Sequence, residues 1–510
     1  MLISKGKKLF CLFIDYKKAF DLVWREALWY KLLRSSVNGK ILSVIKNMYK
    51  GIKSYVVNGS SHSDYFASCR GVRQGENLSP LLFSLFINDL EESLIEHGSE
   101  YLAFDMENID GLLRLVVIMY ADDTVIIANS ATQLKRAMKG LEEYCKNWQL
   151  QVNCSKTKII VFGKSRSRHN SFTLFGETIE LVDDYKYLGI MFNYRGNLKK
   201  AQSELLKQSY RAMYSLISRG RKLELPFDIM LELFQSLVVP IISYGCEVWG
   251  YAMIKEIEIL HLKFIKLLLK VKPSTCNAMV YGETGVYPIK IFIYKRMLGF
   301  WGRMLRGKSS KLSNVLYEIM LKLYNDGTYE WPWLVFIKKL LDDAGLSYVW
   351  YEQREVNVDW LKATIERNLK DQWLQKWNAE LQEKSSCSTY RLYKKQYELE
   401  PHLMLTNDFR IYTTKLRTNN NKLAVVIGRY SNIPREDRIC NICQLNKVGD
   451  EYHLFFECNN ENVVRLRNKF IPLYYRNRPS IIKFCELISS NKVKLMENIA
   501  TFLKNVFDLL

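Results

Sequence analysis

Apolar positions over the first 190 or so residues follow two alternating periods. Leu9-Phe10-Cys11-Leu12-Phe13-Ile14 is a short unbroken apolar run, the pattern of a buried strand, and it ends at Asp15. From Lys17 to Leu33 the period lengthens. Phe20, Val23, Trp24, Ala27, Leu28 and Leu32 fall at three-and-four spacing between charged residues, which predicts a helix. Asp15 is therefore expected at the carboxyl end of a strand, with a rigid element on each side. Leu112 to Met119 and Thr124 to Ala128 predict two more strands, turned back on each other at Tyr120-Ala121-Asp122-Asp123 as a tight hairpin. Between these sites, Ser79 as N-cap and Pro80 at the first helical position predict a helix over Leu81 to Leu94, with Leu82, Leu85, Phe86, Leu90 and Leu94 as its buried stripe.

Farther on, Leu134 to Trp148 predicts an amphipathic helix and Ile159 to Phe162 a strand. A basic loop at Lys164, Arg166 and Arg168 precedes strands at Ser171 to Phe175 and around Lys186 to Ile190, the last expected to continue the sheet as a small hairpin layer. Long amphipathic helices dominate the remainder, for example Leu260 to Leu269 and Trp360 to Leu381. Asp326 to Gly345 and Glu383 to Ser388 read as surface loops by their Gly, Asp and Ser content. There is no internal repeat and no extended low-complexity tract.

Candidate chemistry changes this picture at three places. Adjacent carboxylates at Asp122 and Asp123 repel unless a cation neutralises them, so a hairpin presenting both beside an apolar sheet suits a divalent metal; a solvated turn is the plain alternative. If the Asp15 strand pairs beside that hairpin, Asp15, Asp122 and Asp123 form one cluster able to hold two ions about 4 Å apart, an arrangement suited to phosphoryl transfer. The loop Gly71-Val72-Arg73-Gln74-Gly75-Glu76 has glycines that permit close backbone approach, and Arg73 and Gln74 offer donors to phosphate, sugar or base. It reads equally well as a turn that delivers the chain into a helix. Near the C-terminus, Cys440-x2-Cys443-x9-His453-x4-Cys458 supplies three thiols and an imidazole at spacings that suit tetrahedral Zn2+, with Arg435, Arg438 and Lys447 nearby to touch nucleic acid.

Composition bounds the partners. The 510 residues are 48% hydrophobic, ample for buried cores, and a formal charge of +21 with 31 Tyr, 24 Phe and 11 Trp favours a polyanion and supplies faces for stacking. The most tempting apolar run, Leu237 to Trp249, contains Pro240 and Glu247, so no membrane span is expected, and no signal peptide precedes Asp15. Eleven cysteines, scattered but for one cluster, suggest a reducing intracellular compartment, nucleus or cytoplasm, rather than a secreted disulfide framework. So few residues precede the Asp15 strand that the chain is expected to start inside a domain.

The order of FIDYKKAFD (13–21), GVRQGENLSPLLF (71–83), YADD (120–123), NCSKTKIIVFG (153–163) and YKYLGI (185–190) resembles the successive palm motifs of reverse transcriptases carried by non-LTR (LINE-type) retrotransposons. The resemblance continues through thumb-like helices at Leu198 to Gly250 and through YGETGVYPI and GFWGRML to the cysteine cluster. It implies an α+β fold: a right-hand polymerase palm, an antiparallel sheet packed on helices, then a mostly helical thumb and C-terminal region with a small zinc-knuckle-like module. The corresponding boundaries are 1–195 for the palm with the fingers largely missing, 196–272 thumb, 273–430 helical connection, 431–465 knuckle and 466–510 helical tail.

The implied activity is RNA-directed DNA polymerisation, a nucleotidyl transfer from dNTP to the 3′-hydroxyl of a DNA primer on an RNA template, with two Mg2+ (or Mn2+) ions on Asp15, Asp122 and Asp123. Phe20 matches the steric gate under the incoming sugar. Arg73, Gln74 and Gly75 match the loop lining the nucleotide and template pocket, Lys156 the basic residue near the leaving pyrophosphate, and Tyr187, Leu188 and Gly189 the primer-grip turn. Zn2+ is implied at the C-terminal cluster. Two departures stand out: the missing fingers and endonuclease, and Glu76, an acid beside a polyanion pocket unless it points to solvent. The alternative is a catalytically inert, truncated remnant that binds nucleic acid through a basic thumb, with Lys207 and Arg211 on its helix, and through the zinc module. A group II intron maturase also carries YADD, but the cysteine cluster and KAFD speak against it.

Overall fold

The computed structural model describes residues 7–101, 116–163, 171–305 and 311–509. The chain divides into two compact units, Met1–Glu204 and Leu205–Leu510. Residues 112–115 of the expected hairpin strand, and the basic loop at Lys164, Arg166 and Arg168, lie outside the described residues.

The first unit is built on a five-stranded sheet in the order Glu180–Leu181, Lys158–Phe162, Leu9–Ile14, Asp123–Ala128, Val117–Tyr120. Neighbours are antiparallel except Glu180–Leu181, which runs parallel to Lys158–Phe162. Leu9–Ile14 is the central strand and both its faces are covered, which is why its sequence is continuously apolar. Phe10, Leu12 and Ile14 point into the main core with Leu134, Met138 and Leu141 of the helix Ala131–Trp148, and with Leu82, Phe83 and Phe86 of the helix Ser79–Ile87. Cys11 and Phe13 point the other way, onto Tyr185, Tyr187 and Phe192. Those aromatics belong to the hairpin Asp184–Tyr187 and Ile190–Asn193, which forms its own two-stranded sheet and packs over Phe13, ring centroids 4.7 Å apart for Tyr185. The expectation that this hairpin continues the main sheet is corrected; it is a second layer.

Three further boundaries differ from the periodicity. The helix begins at Arg25, not Lys17: residues 17–22 are turns, with Lys18 at φ +47°, shaped to receive the loop at Gly71. Ser79 is the first helical residue, and Leu78 stands at the N-cap. The helix over Leu81 to Leu94 is two helices, Ser79–Ile87 and Leu90–Glu96, broken where Asp89 turns to meet a buried cation.

That cation is Lys31, whose ammonium lies 2.7 Å from Asp89 Oδ1, the Phe86 carbonyl and the Tyr144 hydroxyl, and 3.8 Å above the Trp148 ring. Burial, only partly offset by Asp89, lowers its pKa to about 8.

Among the described residues the second unit is helical. Its core gathers Trp377, Leu381, Phe455, Phe484 and Phe502. The expected helices are present as Ile254–Leu269 and Val358–Glu383. The expected loop at Asp326 to Gly345 is instead the helix Pro332–Asp343, with Pro332 starting it and Leu334, Ile337 and Leu341 buried; glycines bracketing an apolar stripe mark the ends of a helix, not a loop. The stretch Glu383 to Ser388 contains the 3-10 turn Ser385–Cys387, whose Cys387 is fully buried.

Glu283, within the YGETG run, is fully buried and takes Arg417 Nε at 2.8 Å and Nη2 at 2.9 Å. Arg417 also reaches Glu400 at 2.8 Å, and Glu400 pairs with buried Lys394. Two acids, Glu283 buried and Glu400 partly so, thus meet two buried cations, and the imidazole of His402, 3.5 Å from Glu283, is held well below its ordinary range, chiefly by burial. No helix among the described residues is alone long and apolar enough to cross a membrane; one pair, Phe227–Ile242 and Cys246–Ala252, passes on composition but bends by 68°.

Candidate active site and metal cluster

The sheet register places the acids. Ile14 pairs with Thr124 on the antiparallel neighbour, so Asp15, just past the one strand, and Asp123, at the start of the other, lie at the same end of the sheet. Tyr120 pairs with Asp123, leaving Ala121 and Asp122 as a two-residue hairpin tip. Ala121 has φ +53°, a conformation costing a non-glycine residue about 1 kcal/mol. The three carboxylates lie within reach of one another's charge: partial burial, then Asp122 and then Asp15, raise the Asp123 carboxyl above the ordinary range.

The backbone of Asp15 is gripped from both sides by one turn. Asn153 N–H donates to the Asp15 carbonyl at 2.7 Å, and the Asp15 N–H donates to the hydroxyl of buried Thr157 at 3.2 Å. This is what the NCSKT segment does structurally, and Asn153 and Thr157 are positioning residues the sequence reading did not name. Lys156 sits in the same turn, exposed. Above the other face, the Tyr187 hydroxyl donates to the Asp123 carbonyl at 3.2 Å, and burial, with Asp123 next in effect, raises its pKa to about 12. Tyr187 leads into Leu188 and Gly189, both at positive φ (+47° and +79°), the conformation of a type I′ hairpin turn.

The loop at Gly71 docks on the segment after Asp15. Val72 N–H donates to the Phe20 carbonyl at 2.8 Å, Gly71 N–H to Val23 at 2.9 Å, and Gln74 Nε2 to Asp21 Oδ1 at 2.9 Å. The Phe20 ring stacks on Phe83, centroids 5.0 Å apart. Arg73 donates to Glu76 at 2.7 Å and to the Met48 carbonyl at 2.9 Å. Glu76 therefore does not point to solvent; it is the partner that holds Arg73. Behind the loop, the buried guanidinium of Arg25 donates to the carbonyls of Ser68, Arg70 and Gly71 at 2.7, 3.0 and 2.9 Å. Arg25 was also missed. Its signal was present, because it falls on the apolar face of its helix with Leu28 and Leu32.

The second cluster is tighter. Donor atoms of Cys440, Cys443, His453 and Cys458 all lie within 4.8 Å of one another, the one such group among the described residues; the aspartates share a strand end but are not gathered that closely. His453 and Cys458 are buried, and an Ile439–Val448 bridge closes the turn that carries the first two thiols. His453 Nε2 lies 3.3 Å from Cys443 Sγ, while Nδ1 faces Glu457 Oε2 at 3.5 Å. An imidazole with one nitrogen toward thiols and the other toward a carboxylate fits a metal ligand. Burial, and then Cys440 and Cys443, push the Cys458 thiol up to about 12. The neighbouring cations are engaged within the protein: Arg435 with Asp450 at 3.0 Å, Arg438 with the Ile433 carbonyl at 2.7 Å and Lys447 with Glu457 at 3.1 Å.

Residues 2–192 match the family described as reverse transcriptase (RNA-dependent DNA polymerase). These residues are a reverse transcriptase domain. Its relatives are polymerases of non-LTR retrotransposons. The chain is 24% identical over 270 residues to the RNA-directed DNA polymerase from mobile element jockey of Drosophila funebris, covering 50% of this chain and 28% of that protein. It is 25% identical to the probable RNA-directed DNA polymerase from transposon X-element of Drosophila melanogaster, over 52% of this chain and 29% of the relative. The Pol polyprotein from type-1 retrotransposable element R2 of Nasonia vitripennis is 26% identical over 38% of this chain and 19% of its own length. The reverse transcriptase domain thus comes in a chain whose match spans less than a third of each of these relatives.

Proposed function

We propose that this chain is an RNA-directed DNA polymerase in which Asp15, Asp122 and Asp123 form the catalytic centre. The observation that carries the reading is the shared strand end: Asp15 is fixed by the Asn153–Thr157 turn next to a hairpin tip bearing two more carboxylates. Hard oxygen donors in this number suit Mg2+ or Mn2+. Two such ions, when bound, activate the attacking hydroxyl and stabilise the leaving pyrophosphate. Asp15 and Asp122 are assigned to holding them, with Asp123 supporting. Phe20, braced by Phe83, is assigned to the sugar of the incoming dNTP, and the Arg73-Gln74-Gly75 loop to the nucleotide and template pocket. Lys156 neutralises charge near the pyrophosphate, and the Tyr187-Leu188-Gly189 turn orients the primer end. RNA template, DNA primer and dNTP are the proposed partners.

In the same reading residues 1–195 are a palm, 196–272 a thumb, 273–430 a connection, 431–465 a zinc-knuckle-like module and 466–510 a tail. Cys440, Cys443, His453 and Cys458 hold Zn2+, whose thiolate and imidazole ligands match its preference. The test is primer extension on a defined RNA template. Asp122→Asn is expected to abolish extension while the fold and RNA binding persist, and extension at the wild-type rate by that variant would refute the assignment. An inert nucleic-acid-binding remnant would instead show salt-sensitive RNA binding and no extension by the wild type itself.

A further inference from the structure

The second unit contains a small recess, partly open to solvent, lined by Arg221, Met230, Lys270, Asn407 and Arg410 among others. Three of its lining side chains are cations and none is an acid. Arg410 is the informative one. Its side chain is only 8% exposed, yet its one contact is the face of Phe227, 5.3 Å from the guanidinium carbon; among the described residues no carboxylate or carbonyl accepts from it. A residue buried to that degree ordinarily finds protein acceptors for the five N–H groups of its guanidinium; here those groups are left to the recess that Arg410 lines. Arg417, on the same helix, shows the usual solution, with two glutamates and a carbonyl around it. Nor, among the described residues, do Arg221 and Lys270 have an acceptor.

The surrounding elements add to the positive field. Asn407 opens the eleven-residue helix Asn407–Arg417, whose amino end offers unpaired N–H groups and a positive dipole. Asn407 Oδ1 is itself buried with no hydrogen-bond partner, so its amide can turn its N–H2 group toward the recess. Lys270 stands at the C-cap of Ile254–Leu269 in the left-handed conformation, φ +55°. Its ammonium is held below the ordinary range by burial first and then by Arg410 and Arg221, with Asp408 opposing. Asp408 supplies one counter-charge against three cations, so the group keeps a net positive field that a bound anion would lower.

We propose that Arg221, Lys270 and Arg410, with the amino end of the Asn407–Arg417 helix, form a binding site for one tetrahedral oxyanion, a phosphoryl group. The recess is small, and fork-shaped guanidinium donors match phosphate oxygens. The group can be free phosphate or a backbone phosphate of RNA. This inference does not depend on the polymerase reading, because no residue of the Asp15–Asp122–Asp123 centre takes part.

The test is calorimetric titration of the full chain with inorganic phosphate at constant ionic strength, against chloride, together with binding of a ten-nucleotide single-stranded RNA over a salt series. Saturable, one-to-one phosphate binding is expected in the wild type. Arg410→Met should weaken it about tenfold or more, the effect of losing charge-assisted bonds. Exposed Lys270→Gln, which removes nothing from the core, should weaken it severalfold. If the source is RNA, phosphate competes with it and Lys270→Gln lowers both RNA affinity and the salt slope, the latter by about one. If the source is free phosphate, the same variant loses phosphate and keeps RNA. Phosphate binding no better than chloride in the wild type, or unchanged in folded Lys270→Gln, overturns the proposal.

Discussion

Gly71→Ala tests how the nucleotide-side loop is held. Gly71 has φ +82°, and a Cβ built there would lie 2.6 Å from the carbonyl oxygen of Asp21, 2.8 Å from its carbonyl carbon and 2.9 Å from its Cα. All three are backbone atoms of the turn that carries Phe20, so no side-chain rotation relieves the contact. The positive φ alone costs about 1–2 kcal/mol, and forcing atoms into an occupied site typically adds about 1–3 kcal/mol. Gly75 supplies the control. It has φ +89° but nothing within 4 Å of its would-be Cβ, so Gly75→Ala meets the conformational cost without the clash. Urea denaturation followed by tryptophan fluorescence should therefore rank wild type above Gly75→Ala above Gly71→Ala. In primer extension Gly71→Ala should also raise the apparent KM for dNTP, since Val72 and Gln74 lose their register on Phe20 and Asp21. If Gly71→Ala is as stable as Gly75→Ala, the loop is not seated on the Asp21 backbone and the argument fails.

Three other outcomes follow from the packing. With Lys31 at about 8 in the folded chain against an ordinary 10.5, the unfolded chain binds more protons between those values, so the stability of wild type relative to Lys31→Met should rise with pH from 8 to 10.5, by roughly 3 kcal/mol in all; a flat difference in melting free energy across that range would contradict the burial. Glu283→Gln strips one partner from buried Arg417 and should cost about 3–5 kcal/mol in denaturant titrations, and a loss under 1 kcal/mol would mean the network is not closed as described. Purified protein should contain about one zinc per chain by elemental analysis, lost in Cys440→Ser with a lower melting temperature; a metal-free native preparation that melts identically would sink the assignment.

Much of the first unit could be read from its period. The unbroken apolar run at Leu9 to Ile14 is a central strand with both faces covered, and the alternation around Asp122 and Asp123 is a hairpin laid beside it. What periodicity misjudged was the interval from Lys17 to Leu22. Apolar residues there lie at helical spacing because they pack, but Lys18 takes a positive φ and the chain turns to receive the Gly71 loop, a tertiary demand with no local mark. The same holds for Asp89, where an ion pair to Lys31 interrupts an otherwise helical stripe. Charged residues on apolar faces were the overlooked clue: Arg25 and Lys31 both fall there and both are buried structural cations. The cysteine and histidine spacing, by contrast, carried over directly into a cluster, with the four donor atoms within 4.8 Å of one another.

Thr157 holds Asp15 across 142 positions of chain, with Asn153 beside it, and the strand Lys158–Phe162 that follows them flanks the central strand on the edge away from the hairpin. During synthesis the first carboxylate leaves the ribosome long before the turn that anchors it. Its fixed geometry is thus acquired late, and a nascent chain stopped short of Asn153 would display all three acids yet lack the clamp that aligns them.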